Sequence, residues 1–437
     1  MSRKRLSAAM VMGLTLIIAA CSSGGGATTA PSAGASTAAS EAPATSTEPS
    51  AAASEGAAGG GELVIWADDK RAAALKPLAD QFAADNGVTV KIEAISADII
   101  PNFLTASQAG TAPDIVIWAH DTIGNLVANG AIDPVQLSNA ADFDPLAIQG
   151  MTFDGQLYGV PYSVENIGLF INTDLVTACP ATMEELVATG KQLVSDGKAK
   201  EILSLQSGQS GDAYHIYPLF ASGGGSFFGK TAAGDPDPAN VTVDSAESIA
   251  AGELIKAIGE KGDKALKTSI DNTNAIPLFF DGKAPFLVSG PWAVADIEKA
   301  GTKYDICPIP GFEGKNPAGP FVGVNGFYLA SKGKNKALAQ EFATNFLTTQ
   351  EVQEAFYAAE PRRPALLAAV ESVKATDPNI AKFQAAAQGG TITPAIPEMG
   401  QVWGPFGVAE AAIIKGGDVK ASLESAAKAI RDGIAAQ

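Results

Sequence analysis

The sequence predicts an α/β protein of two lobes, and three observations carry that expectation. From Glu62 onward, short apolar runs alternate with segments of helical periodicity, the pattern of doubly wound sheets. The alternation weakens near Asp144 and resumes near Ile167, so two such sheets are expected. At 437 residues the chain is also long for one hydrophobic core.

Taken in order, ELVIWAD from Glu62 reads as the first strand. Residues 72–85 place Leu75, Leu78, Ala79 and Phe82 on one helical face, and Asn86-Gly87 stops that helix. VTVKIEAI reads as a second strand, DIIPNFLTASQAG as a helix opened by Asp98, and PDIVIWAHD (113–121) as a third strand. Its carboxyl end presents Trp118, His120 and Asp121 where α/β sheets bind their ligands. The same residues also read as a core tryptophan and an aspartate capping the next helix, TIGNLVANG. Past Asp144 and Pro145, FDGQLYGVPYSVENIGLFINTDL brings the apolar run 167–171. Then follow helix TMEELVATGKQLVSDG, strand EILSLQ, helices over 214–221, 246–260 and 273–280, and strands APFLVSG, YDICPIP and FVGVNGFYLAS. From Asn335 to the end the pattern is nearly all helical.

The N-terminus reads as an address. Arg3, Lys4 and Arg5 precede the uncharged apolar run 6–20, and Ile18-Ala19-Ala20-Cys21 resembles a bacterial lipobox with Cys21 as the lipidated residue. A plain signal peptide or short membrane helix is the other reading, although the run is shorter than the roughly 17–25 residues of a span. Residues 22–60 are nearly all Ser, Ala, Gly, Thr and Pro and predict a flexible tether of roughly 30–40 Å. Beyond Cys21 only Cys179 and Cys307 remain. In an oxidising compartment that pair suggests one disulfide, the alternative being two separate buried thiols.

Several functions are disfavoured. A net charge of −17 argues against a nucleic-acid surface. GGSFFGKT (224–231) matches the phosphate-loop pattern letter for letter, but a helical segment precedes it and AAGDPDPANVT cannot continue as a helix. The two histidines, His120 and His215, have no metal-ligand spacing, and there is no G-x-S-x-G elbow. The expectation is a binding protein, not an enzyme, with no cofactor and no metal.

LVIWADD, APDIVIWAHDTIG, GQLYGVPYSVENIGLFINTDL, GKAPFLVSGPWAVADI, GPFVGVNGFYLAS and TPAIPEMGQVWG occur in the order seen in the maltose/maltodextrin-binding proteins of ABC importers. The chain from about Glu62 onward resembles the group 1, or carbohydrate, solute-binding family. The resemblance implies a type II periplasmic-binding-protein fold, two doubly wound α/β lobes joined by a multi-segment hinge. It implies lobes of about 61–164 with 325–375 and of 165–324 with 376–437, crossing near 163–165, 323–326 and 376–378. It further implies Trp118 as a sugar-stacking ring, Asp121 as a hydroxyl acceptor, Glu165 between the lobes, and Trp292 and Trp403 on the far wall. The Glu-Pro-Tyr-Phe cluster of the family matches Asp212, Ala213, Tyr214 and His215. The Asp-Lys pair after the first strand matches Asp69 with Lys70, or Lys70 with Arg71. Arginines common in the family are replaced by Thr122 and Gly407. The implied ligand is maltose, a maltodextrin or a related α-glucoside, with trehalose as another candidate; a secreted glycoside hydrolase is the different-class alternative. Implied partners are a permease with a cytoplasmic ATPase, the chain being monomeric and touching membrane through its lipid alone.

Overall fold

The computed structural model describes residues 60–437. The expected signal peptide, Cys21 and the tether up to residue 59 lie outside the described residues. Two sheets organise the rest. The first has six strands, β1 (Glu62–Ala67), β2 (Thr89–Ala94), β3 (Ile115–Ala119), β6 (Gly159–Asn166), β13 (Phe321–Leu329) and β14 (Thr391–Ile392). Their order is β14-β13-β3-β1-β2, with β6 also on β13. The second has four, in the order β12 (Tyr304–Cys307), β7 (Gly168–Asn172), β11 (Phe286–Ser289), β8 (Ser204–Leu205). Two small hairpins stand apart, β4 (Thr152–Phe153) with β5 (Gln156–Leu157), and β9 (Phe228–Lys230) with β10 (Pro236–Val241).

Side-chain alternation explains why each sheet is covered on both faces. Ile115 and Ile117 enter one core with Leu63 and Ile65, while Val116 between them enters another with Val324 and Tyr328. In the second sheet Leu169 and Ile171 face one core and Phe170 the other. The helix Asp69–Asn86 buries Leu75, Leu78, Ala79 and Phe82, the face its spacing predicts. Asp68 caps its start by accepting from the Arg71 amide at 2.9 Å, and Gly87 ends it at φ 64°.

Both sheets are mixed, where the alternation suggested parallel ones. β1 runs parallel to β2 and β3, but β13 is antiparallel to β3 and β6, and β7 is antiparallel to β11 and β12. The parallel expectation holds for strands joined by a covering helix. β13 instead arrives from the other lobe, so its direction is set by where it enters. The phosphate-loop-like segment runs into β9 and its hairpin with no helix following it, so its amides do not converge on a helix start.

Several strands and loops tie the lobes together. β6 and β13 pair through Ser163–Asn325 and Glu165–Gly323, and residues 363–365 lie along β6, the Val164 amide donating to the Arg363 carbonyl at 2.9 Å. After the Asn379–Ala386 helix, which packs on the second lobe through Phe383, the chain returns to β13 as β14. It stays against the first lobe through residue 395, whose carbonyl accepts from the Gly124 amide at 3.0 Å. A two-residue strand carries no period, so this return was invisible in the helical tail. Cys179 and Cys307 are joined in a disulfide, with Cα atoms 5.8 Å apart.

Candidate functional site

The first wall is the end of β3. Trp118 is half-buried there, and the Arg71 guanidinium lies over its ring, 5.4 Å from the centroid. Asp121 sits in the short turn His120–Thr122. The following helix is capped by Thr122 with no side-chain bond, so Asp121 is not its cap. Burial pushes the pKa of its carboxylate up to about 6, against the opposing pull of its own backbone amide and of the nearby Trp403 side chain. His120, at the same strand end, is buried with both ring nitrogens tied to backbone. Its Nε2 donates to the Thr393 carbonyl at 2.8 Å, its Nδ1 accepts from the Val324 amide at 3.0 Å, and burial lowers its pKa to about 4.

The second wall comes from the other lobe. Asp212 caps the helix Ala213–Ser222, accepting from the His215 amide at 3.0 Å, and its second oxygen takes the Gln206 amide and lies 3.0 Å from His215 Nδ1. Burial alone would raise its pKa, yet His215 and these donors hold it low. Both oxygens are thus engaged inside the protein, and Asp212 positions the helix rather than presenting a free acceptor. Tyr214, one residue into the helix, is half-buried, its phenol pKa raised by burial and by the nearby Asp121 and Asp212 charges. Trp292 folds back over Gly290, where a Cβ would collide with its ring. Trp403 opens the helix Trp403–Ile414 and packs edge-on against Phe227 and Phe321.

Between the walls run charged bridges. Lys70 donates to the Trp292 carbonyl at 2.9 Å and to Asp296 at 3.1 Å. Asp69 is exposed in the first helical turn, whereas Arg71 is buried and bonded to Tyr162, Asp68 and Asn325. Successive helical residues diverge by about 100°, so a three-residue run cannot all face one cleft. Glu165 pairs with Arg362, whose guanidinium also lies 2.7 Å from Glu360 and 5.3 Å from the centroid of the Trp292 ring. Burial lifts Glu360 to about 7 against the pull of Arg71.

Asp68, Glu360 and Arg362 escaped the sequence reading. The signal available was PRRP, two arginines between prolines in an acidic chain, but nothing local aims either one. The departures at 122 and 407 also have structural accounts. The Thr122 hydroxyl bonds back to the Ala119 carbonyl at 3.0 Å. Gly407 lies against the backbone of Ser210 and Gly211, and a Cβ on Gly211 would overlap the Gly407 carbonyl. A Cβ at 407 would lie 3.1 Å from the Ser210 carbonyl oxygen, so a larger residue there would press on that loop. In place of the absent arginines, Arg71 and Arg362 stand over Trp118 and Trp292. The assembled chemistry is indole and phenol surfaces with carboxylates and guanidinia between two lobes. Among the described residues no group of three or more His, Cys, Asp or Glu is arranged to hold a metal ion.

Residues 77–382 match a family described as bacterial extracellular solute-binding protein. A galactooligosaccharide-binding protein of Bacillus subtilis (strain 168) is 30% identical over 399 residues, covering 86% of this chain and 90% of its own. A maltodextrin-binding protein of the same organism is 28% identical over 360 residues, 78% and 82% of the two chains. A maltotriose-binding protein of Pyrococcus abyssi is 28% identical over 308 residues, 68% and 65% of the two chains. The match runs across both α/β lobes and the crossings between them, and the chain belongs to the bacterial extracellular solute-binding protein family.

Proposed function

We propose that the chain captures a maltodextrin-class oligosaccharide between its lobes and delivers it to a membrane permease driven by a cytoplasmic ATPase. It does no chemistry on the sugar. The observation that supports this reading most is the opposition of Trp118 and Asp121 on one wall to Tyr214, Trp292 and Trp403 on the other, near enough that Trp403 bears on the charge of Asp121 and Asp121 on that of Tyr214. Pyranose rings carry apolar C–H faces and a hydroxyl rim, which suit indole faces and carboxylates respectively. Lys70, Glu165 and Arg362 complete the donor and acceptor set; Asp69, Arg71 and Asp212 support it from behind. Closure desolvates these groups and strengthens their hydrogen bonds.

In this reading the mature protein is a monomer held outside the cell membrane through a lipid on Cys21, with the lobes divided at about 164/165, 324/325 and 375/376, except that residues 391–395 return to the first lobe. No helix among the described residues is long and apolar enough to cross a membrane. A second reading, a galacto-oligosaccharide in the same cleft, is favoured by the 30% identity to a galactooligosaccharide-binding protein over 86% of the chain. Titration calorimetry with maltose, maltotriose and the corresponding galacto-oligosaccharides decides between them. Absence of binding to both series, or release of reducing sugar from maltotriose by the purified protein, overturns the sugar-capture reading.

A further inference from the structure

The loop 360–365 runs along β6 on the first lobe, the Val164 amide donating to the Arg363 carbonyl at 2.9 Å and the Ala365 amide to the Tyr162 carbonyl at 3.0 Å. From that loop Arg362 reaches the second lobe. Its guanidinium carbon stands 5.3 Å from the centroid of the Trp292 ring, inside the roughly 6 Å of a cation–π contact. Gly290 lies against the six-membered ring of the same indole, and His215 stands edge-on to it at 6.1 Å. These neighbours belong to the second lobe with Trp292, so Arg362 is the contact that ties the tilt of the ring to the position of the first lobe.

Arg362 is itself aimed by carboxylates. Glu165 on β6 pairs with it, and a Glu360 oxygen lies 2.7 Å from its Nε. Both Glu360 oxygens and that Nε are buried without an aligned hydrogen bond, so charge alone joins them. The charged and titratable groups that bear on Glu360 are Arg362 on its own loop, Asp68, Lys70 and Arg71 at the start of the helix Asp69–Asn86, and Tyr162 on β6. From the second lobe Asp296 pairs with Lys70 at 3.1 Å, both half-exposed, and these two offset each other. The more deeply placed set then has three carboxylates, Asp68, Glu165 and Glu360, against two guanidinia, Arg71 and Arg362. It is neutral only with a proton on Glu360, whose pKa burial lifts to about 7. Burial and the Arg71 charge lower Arg362 to about 9, so it keeps its own charge at that pH.

We propose that Arg362 is a positioning residue acting through Trp292: from the first lobe it holds the indole of the second in its sugar-stacking orientation, and a negative charge on Glu360 opposes that closed arrangement. The proposal rests on the sugar-binding reading above. Closing the lobes takes Arg362 and Glu360 out of water, where an unbalanced carboxylate is unfavourable, whereas opening admits water to it. Sugar selects the closed form and so binds with uptake of a proton. The part of the affinity linked to Glu360 is therefore complete at acid pH, where the carboxyl is protonated in the open form too, and is lost as pH rises to about 7.

The test is titration calorimetry of the full chain with maltotriose and with a galacto-trisaccharide from pH 5 to 8, on the parent, Glu360→Gln, Arg362→Lys and Arg362→Met, the last two also combined with Trp292→Leu. The affinity of Glu360→Gln, divided by the parent's, should rise about three- to tenfold between pH 5 and 8. Taking that ratio removes whatever Asp121 contributes in the same range. Arg362→Met should weaken binding about tenfold and Arg362→Lys about threefold, since lysine keeps the charge and loses the planar fork. With Trp292→Leu in place, the loss caused by either Arg362 substitution should shrink to about twofold or less. Melting temperatures run in parallel show whether Arg362→Met keeps the fold; Arg362→Lys and Glu360→Gln carry the test if it does not. A ratio that stays constant with pH, or an Arg362 effect as large without the indole as with it, overturns the proposal and leaves the sugar-binding reading standing. No binding of either sugar at any pH removes both.

Discussion

Asp121 carries the clearest energetic signature in the cleft. Its pKa is raised from 3.8 to about 6, chiefly by burial, so the folded protein holds its proton more tightly than the unfolded chain does. The stability it contributes is therefore complete below about pH 4 and is lost as pH rises through about 6. Asp121→Asn should remove that slope, and at pH 7 it should stabilise by at most roughly 3 kcal/mol, while weakening sugar binding by about 1.5–3 kcal/mol through loss of charge-assisted hydrogen bonds. Urea denaturation from pH 4 to 7, beside calorimetry with the sugar, reads both. Glu410 follows the same rule inside the second lobe. It is buried on the helix that begins with Trp403, its pKa lifted well above 4.5 first by burial and then by the Asp212 charge, while it accepts from the Asp212 amide at 2.8 Å. Its contribution to stability is full below pH 4.5 and fades as pH climbs toward the raised value. Glu410→Gln keeps the acceptor and loses the charge, so its stability should gain on the parent's as pH rises above 4.5 and should exceed it at pH 8. A variant less stable than the parent at pH 8 contradicts this account.

His120 shows how one side chain locks three segments. It joins the end of β3 to the Val324 amide in β13 and to the Thr393 carbonyl just past β14. His120→Ala leaves that amide and that carbonyl buried without partners, and should cost about 2–4 kcal/mol in chemical denaturation. Its depressed pKa, about 4 against 6.5, means the unfolded chain takes up the proton first, so stability falls as pH drops from 6.5 toward 4. Asp121 is the next residue and has the opposite slope in an overlapping window. The parent should therefore look nearly flat between pH 4 and 6, whereas Asp121→Asn alone should become acid-sensitive. An Asp121→Asn curve as flat as the parent's would show that His120 does not titrate in this way.

The disulfide works on the lobe as a body. It links a loop after β7 to the end of β12 and closes a span of 128 residues. Restricting so long a loop in the unfolded chain contributes about 2–5 kcal/mol. Replacing Cys179 and Cys307 together by serine should lower the melting temperature accordingly and leave sugar affinity within about twofold, because no cleft side chain hangs on the link. A large loss of affinity with an unchanged melting temperature would reverse that assignment. Lobe closure is held on the Lys70 side by a half-exposed ion pair with Asp296, the class of contact that contributes roughly 0–1 kcal/mol.

Local periodicity was enough to find the α/β class, the buried face of the helix Asp69–Asn86, and the strand that ends at Trp118. These properties depend on neighbours two to four residues apart, which a single chain displays directly. Cysteine count and compartment were likewise enough to suggest the Cys179–Cys307 link. The roles of the polar groups were not legible. Arg362 reaches Glu165 across 197 positions, Arg71 reaches Asn325 across 254, and His120 reaches Thr393 across 273. Whether a charge faces a ligand or is tied down inside depends on which partner the packed lobes bring within hydrogen-bond distance, and burial makes that choice costly to refuse. For that reason Asp212 and Arg71, expected from the sequence to touch sugar, have their polar atoms engaged inside the fold, while Arg362, with no local mark, arrived over the ring of Trp292.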